Sequence, residues 1–268
     1  MKLLGVVALE SQGEPEANSL ARSLKLPLLE SATQPKRLTE PGVLLCVGPQ
    51  GLYLQQTGKG APGPVAVEFG NPAMRHRRSA GQNELLGRAV GVGKKSPLHV
   101  LDATAGLGRD SFVLADLGCE VRLCERHRVV AELLKSGLCR GAVSEDSWTR
   151  EVTGRMTLLG CDARELSAGD LAATDVIYLD PMFPVRRKSA SVKKEMALFQ
   201  AVMEVAGGEA DADGDELLMW ALAMPVARVV VKRPAKAPPL AGRKPSHVIS
   251  GKAVRYDVHV LGPLQDQA

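Results

Sequence analysis

From Leu98 onward the chain alternates between short, β-branched apolar runs and helical stretches, and this rhythm constrains the fold more than any other feature of the sequence. The runs are LHVLDA, EVRLCE, MTLLGCD, DVIYLD, RVVVKR and YDVHVL. Helices are expected from about Asp110, from about Val129 and from about Val192. Apolar strands separated by helices make a parallel sheet with crossover helices on its faces. The last two runs have no good helix between them, so an antiparallel pair closing the sheet is expected. ADADGDE (210–216) reads as an acidic loop, and a helix is expected around Asn83–Val90. Upstream, LLGVVAL, GVLLCVG, LYLQQ and PVAVEF are strand-like runs between Gly- and Pro-rich turns. The expected architecture is α/β and Rossmann-like, mostly parallel with an antiparallel C-terminal strand, preceded by a small strand-rich subdomain over 1–75.

Composition excludes several classes. Hydrophobic residues make up 45% of the chain, enough for a sizeable core, while aromatics are only 3%. Few aromatics argue against RNA binding through many stacking platforms. No apolar run reaches the ~18 residues of a membrane span, and the short apolar run at the N-terminus meets acids at once. A cytoplasmic protein is expected. The five cysteines, Cys46, Cys119, Cys124, Cys139 and Cys161, contain no C-x-x-C pair, so neither zinc nor a disulfide framework is expected and they read as small buried hydrophobes. The net charge of +4 comes from residues 181–268, which hold 13 basic and 9 acidic side chains. That excess suits a surface meeting phosphates locally.

The first run of the alternating region ends LDATAGLGRD (101–110). Asp102 closes a strand, Gly106 and Gly108 make a tight turn, and Arg109 and Asp110 open a helix. A dinucleotide fingerprint would carry a third glycine, where this chain has Ser111. An acid at the helix start is poor company for a pyrophosphate and good company for a ligand that is cationic at its reacting end, such as S-adenosylmethionine. Glu125, ending the next strand, can accept hydrogen bonds from ribose hydroxyls. Asp162, after the third, can accept from an adenine amine or cap a helix.

The fourth strand ends DVIYLDPMFP (175–184). A base amine is a poor nucleophile because its lone pair is delocalised into the ring. Asp180 and the carbonyl of Pro181 can accept its two hydrogens, and proline stiffens the acceptors. Phe183 offers a face for an extruded base. Met182 stands where amine methyltransferases often carry a second proline, and a strand-terminating turn is the bland alternative.

Basic residues cluster at Arg75, Arg77 and Arg78 around His76, at Arg186, Arg187, Lys188, Lys193 and Lys194, and at Lys232 and Arg233. Any one cluster can be a solvated face. The second follows the base pocket directly, and the third ends a strand on the same sheet edge, so both are candidate phosphate contacts. His127, His247 and His259 form no constellation.

LDATAGLGRDSFVLA, the pair Glu125–Arg126, YLDPMFP, KSASVKKEM (188–196) and VVVKRP together resemble the bacterial small-subunit ribosomal RNA methyltransferase J family, from about residue 65 to the end. The resemblance implies a class I methyltransferase domain over 76–268. It implies transfer from S-adenosylmethionine to the 2-amino group of one guanosine near the 3′ end of 16S rRNA, with rRNA or the small subunit as partner. Cofactor contacts would fall on Arg109, Asp110, Glu125, Arg126, Asp162, Ala163 and Asp180. CDAR (161–164) departs from the family's small hydroxyl residues there, so that contact would run through the backbone. An adenine amino-methyltransferase, a nicotinamide-dependent oxidoreductase and a non-catalytic RNA-binding protein remain open alternatives.

Overall fold

The structure, a computed structural model, describes residues 2–31, 33–79, 83–181 and 210–264. Contacts among them divide the chain into two units. One comprises residues 2–68 and 127–140, the other residues 69–126, 141–181 and 210–264. The division falls between Glu68 and Phe69, a few residues before the expected boundary, and it returns 127–140 to the first unit.

The first unit holds a three-stranded sheet in the order β1 (Lys2–Ala8), β2 (Gly42–Gly48), β3 (Gly51–Gln56). β1 and β2 are parallel, which a tight hairpin cannot connect. The crossover contains α1 (Glu14–Leu24), which the sequence reading missed. Its signal is the helical spacing of buried Ala17, Leu20 and Ala21, with Pro15 in the first turn. PVAVEF supplies no strand, only a single bridge between Val65 and Leu54.

The second unit begins with α2 (Pro72–Ser79) and α3 (Glu84–Val90), the latter where expected. The alternating region then unfolds as β4 (His99–Asp102), α4 (Arg109–Asp116), β5 (Glu120–Leu123), α5 (Arg128–Ala142), α6 (Ser147–Gly154), β6 (Met156–Leu158), β7 (Val176–Leu179), α7 (Ala210–Leu222), β8 (Arg228–Pro234), β9 (His247–Ser250) and β10 (Val254–Val260). Most of α5 counts with the first unit. The seven strands order β6-β5-β4-β7-β8-β10-β9. The first five are parallel, and β10 runs antiparallel between β8 and β9. β8 and β10 pair as expected. The short, exposed edge strand β9 carried too little apolar signal to be read. α6 was missed as well, although Asp146 caps it by accepting from the Thr149 amide at 3.0 Å.

The expected acidic loop is a helix: ADADGDE opens α7. Asp and Gly are weak helix formers, which misled the reading. Acids favour a helix N-terminus, however, and Leu217, Leu218 and Ala221 bury the following turns. They pack on Leu101, Ile177, Leu179, Val229 and Val231, alternate residues of β4, β7 and β8. The opposite face is met by α3 on β8 and β10 and by α4 on β5 and β6. Strands covered on both faces read as continuous apolar runs, which is why these were legible. The helix expected from about Val192 lies outside the described residues. Among the cysteines Cys139 is exposed, contrary to the reading of all five as buried, and the Cys124 and Cys161 sulfurs lie 3.6 Å apart. No helix among the described residues is long and apolar enough to cross a membrane.

Phe112 of α4 stacks on Phe69 at 5.2 Å and meets the edge of Trp148 at 5.3 Å. Its ring is fully enclosed. Phe112→Ala is expected to cost about 3–5 kcal/mol of unfolding free energy, measured as a drop in the urea midpoint.

Candidate active site

The chain runs outward from β4 to β5 and β6, then returns to place β7 on the other side of β4. That reversal opens a crevice at the carboxyl ends of β4 and β7, where doubly wound sheets bind ligands. Asp102 ends β4 with its carboxylate buried. One oxygen accepts from the Thr104 amide at 3.0 Å, the other from the Ser111 hydroxyl at 2.5 Å. Burial pushes its pKa up to about 7 although both bonds oppose the shift. Ser111, where a dinucleotide fold would have its third glycine, thus ties α4 to β4 by a hydrogen bond. Gly106 and Gly108 take the left-handed backbone, at φ +54° and +70°. A side chain at Gly106 would meet no atom nearer than the Thr104 carbonyl at 4.0 Å, so the conformation demands the glycine and the turn stays open to a ligand. Glu125 reaches this turn from the end of β5 and accepts from the Gly106 amide at 2.9 Å.

A charge cluster lies beside the turn. The Lys232 ammonium on β8 donates to Asp110 Oδ2 at 2.6 Å and to Asp180 Oδ2 at 2.8 Å. Asp110 Oδ2 also accepts from the Tyr178 hydroxyl at 2.7 Å, and its Oδ1 meets Arg77 at 3.3 Å. Burial would raise Asp110, but Lys232, Arg77 and Tyr178 outweigh it and hold the carboxylate below its ordinary range. Asp180 is raised, first by burial and then by the like charge of Asp110, with Lys232 offsetting part of the shift. The two acids share one ammonium, and Asp110, with more partners, takes the larger part. Lys232 is held charged by both despite burial. The Asp180 amide donates to Thr104 Oγ1 at 2.7 Å, locking the end of β7 to the glycine turn.

A second network joins the ends of β5 and β6 to α7. Arg126 pairs with Asp213 through two bonds of 2.7 and 2.6 Å. Asp213 also meets Arg164 at 3.0 Å, and Arg164 reaches Asp162 at 2.6 Å. Asp162 caps the turn Ala163–Glu165 by accepting from the Arg164 amide at 3.0 Å. The capping alternative is therefore the one its described contacts display. Ala163 is buried and Arg109 exposed. Sequence reasoning missed Asp213, because its segment was read as a loop.

The third basic cluster is not placed as a phosphate-facing pair. Lys232 is engaged by two carboxylates, and buried Arg233 donates to the Pro238 carbonyl at 2.7 and 3.1 Å. Successive side chains of a strand point to opposite faces, so the two cannot share an outlook. In the first cluster, Arg75 and Arg78 lie over Trp148 at 4.8 and 5.1 Å and pair with Asp146 and Asp116. Pro181 is buried, its ring facing Gly214 of α7. Phe183, Arg186, Arg187, Lys188, Lys193 and Lys194 lie outside the described residues.

Asp102, Asp110, Glu125 and Asp180 converge around an open glycine turn, a setting that repels a pyrophosphate and suits a ligand bearing a sulfonium and ribose hydroxyls. Among the described residues no group of three or more His, Cys, Asp and Glu could hold a metal. Strand order, turn and acids define an S-adenosylmethionine-dependent methyltransferase. The profile of the family described as "Putative SAM-dependent methyltransferase" matches residues 29–261. A SAM-dependent methyltransferase from Neisseria gonorrhoeae, of known crystal structure, aligns at TM-score 0.70 with 32% identity, covering 97% of this chain and 96% of its own. Ribosomal RNA small subunit methyltransferase J of Thioalkalivibrio sulfidiphilus is 49% identical over 251 residues, 92% of this chain and 93% of that one. Its counterpart from Marinobacter nauticus is 46% identical over 252 residues, 92% and 88% of the two chains. The chain belongs to the ribosomal RNA small subunit methyltransferase J family. Membership sets aside the nicotinamide-dependent oxidoreductase.

Two outcomes are expected. Glu125→Ala should weaken S-adenosylhomocysteine binding by about 10- to 100-fold in calorimetry, the scale of a lost hydrogen bond to a charged group. Asp102 binds its proton more tightly folded than unfolded, so between the ordinary carboxylate pKa and about 7 the folded state gains stability as pH falls. Urea titrations should show wild type gaining on Asp102→Asn by up to about 1.4 kcal/mol per pH unit on acidification through that window.

Proposed function

We propose that this enzyme methylates the 2-amino group of one guanosine near the 3′ end of 16S rRNA, in the cytoplasm. The observation that carries the reading is Asp180 at the carboxyl end of β7, in the crevice beside the glycine turn. Lys232 holds its Oδ2, and its Oδ1 has no partner among the described residues. Support for an rRNA substrate comes from the relatives named above.

S-adenosylmethionine, when bound, supplies an electrophilic methyl group on a cationic sulfur. The residues proposed to hold it are Asp102, Gly106, Gly108, Arg109, Asp110, Glu125, Arg126, Asp162, Ala163 and Asp180. Asp180 and the Pro181 carbonyl accept the two amine hydrogens, which favours a pyramidal nitrogen with its lone pair turned out of the ring. Catalysis is then orientation and electrostatics, without a covalent enzyme intermediate. Phe183 stacks the extruded base. Arg186, Arg187, Lys188, Lys193 and Lys194 meet phosphates and position the nucleotide without reading sequence. The spare proton of the methylated amine leaves to water.

The test is transfer from labelled S-adenosylmethionine to small ribosomal subunits lacking their own modifications, followed by nucleoside mass spectrometry. The expected product is 2-methylguanosine, with Asp180→Ala slower by about 10²–10³-fold. Methyladenosine would move the target to an adenine amine. Absence of label in any RNA would overturn the substrate.

A further inference from the structure

Lys232 sits where a strand end would offer a cation to RNA, yet its ammonium faces inward. On β10, Tyr256 lies opposite it in register. Asp110 reaches it from the first turn of α4 and Asp180 from the end of β7. Two carboxylates this close to one point cannot both ionise without a cation between them. Other groups do not replace it. Arg77 touches Asp110 on the oxygen away from Lys232. Tyr178 spends its hydroxyl on Asp110, and Asp102 is bound to Ser111 and Thr104. Tyr256 is buried, and burial and Asp110 push its phenol up to about 12, so it stays neutral. Among the described residues Lys232 is the one cation touching Asp180.

We infer that Lys232 is a positioning residue for methyl transfer: it keeps Asp180 ionised and ties down Oδ2, so that Oδ1 is presented to the substrate amine. The inference rests on the role proposed above for Asp180. A carboxylate held by one oxygen cannot rotate freely, and an ionised acceptor is roughly twice as strong as a neutral one. The sharing with Asp110 makes the device sensitive. Asp180 is already raised by burial and by Asp110, so loss of Lys232 would leave it protonated further up the pH scale. A protonated Asp180 would offer the amine a weaker acceptor or a competing donor.

The experiment compares wild type, Lys232→Met and Lys232→Arg in the full chain by two readouts. The first is a carbon NMR titration of the Asp180 carboxyl, assigned with Asp180→Asn, which needs no RNA. The second is the pH profile of methyl transfer to unmodified small subunits at saturating cofactor. In Lys232→Met the Asp180 titration should move up by about 1–3 pH units. Its kcat near neutral pH should fall by about 10- to 100-fold, recovering as pH rises, with KM for RNA changed less than about threefold. Lys232→Arg should restore the titration and part of the rate. An unmoved Asp180 titration in Lys232→Met, or a rate loss equal at every pH, would overturn the inference. A shifted titration in a protein that methylates no guanosine would leave the Lys232–Asp180 coupling standing and remove the proposed substrate instead.

Discussion

The parallel ladder through β4, β7 and β8 is the constraint from which the site follows. Asp102 pairs with Tyr178 across β4 and β7, and Tyr178 with Val230 across β7 and β8. Asp175 pins the opposite end of the ladder: its carboxylate accepts from the His99 amide at 2.9 Å and from Lys95 at 2.8 Å. With that register set, Asp180 falls beside Lys232 two residues further on, just past the Leu179–Val231 pair. A slip of one residue on β8 would turn Lys232 toward the apolar layer under α7, away from Asp110 and Asp180.

A cluster of buried charge is a poor way to gain stability, because desolvation cancels much of the attraction. Its location at the switch point indicates function. The core beneath is apolar and layered, with α7 on one face and α3 and α4 on the other. The acids stand where that core ends, at the carboxyl ends of the strands. There partial burial strengthens their interactions, while the crevice still admits a ligand. The neutral tendency of Asp102 and the ionised state of Asp110 are opposite responses to the same setting. Asp110 has Lys232 and Arg77 within reach, whereas the contacts of Asp102 come from neutral donors.

The Arg126–Asp213–Arg164 network solves a different problem. It ties the N-terminal turns of α7 to the ends of β5 and β6, and its pairs are partly exposed, so their contribution to stability is modest. Its effect is to hold Arg126 and Asp162 in one arrangement at the ends of β5 and β6, with Asp213 between the two arginines.

How much was legible depended on whether a signal was local. Asp102, the glycine turn and Asp180 are legible because β4 and β7 carry near-continuous apolar runs, and Glu125 because it closes the alternating apolar pattern of β5; parallel strands present their ends together. Elements with weak apolar signal were missed: β9 is exposed, α1 and α6 are short amphipathic helices, and the acidic start of α7 looked like a loop. Lys232 and Arg233 look like a pair because sequence neighbours are alike in one dimension, whereas strand alternation separates them. The sequence by itself determined the α/β class, the family and the strand ends that carry the acids, since periodicity and turn chemistry are properties of neighbouring residues. Only the tertiary structure decided that Lys232 serves Asp110 and Asp180, that Ser111 braces Asp102 and that Asp213 joins Arg126 to Arg164. Those contacts depend on strand register and helix packing between residues far apart in the chain, which no local pattern encodes.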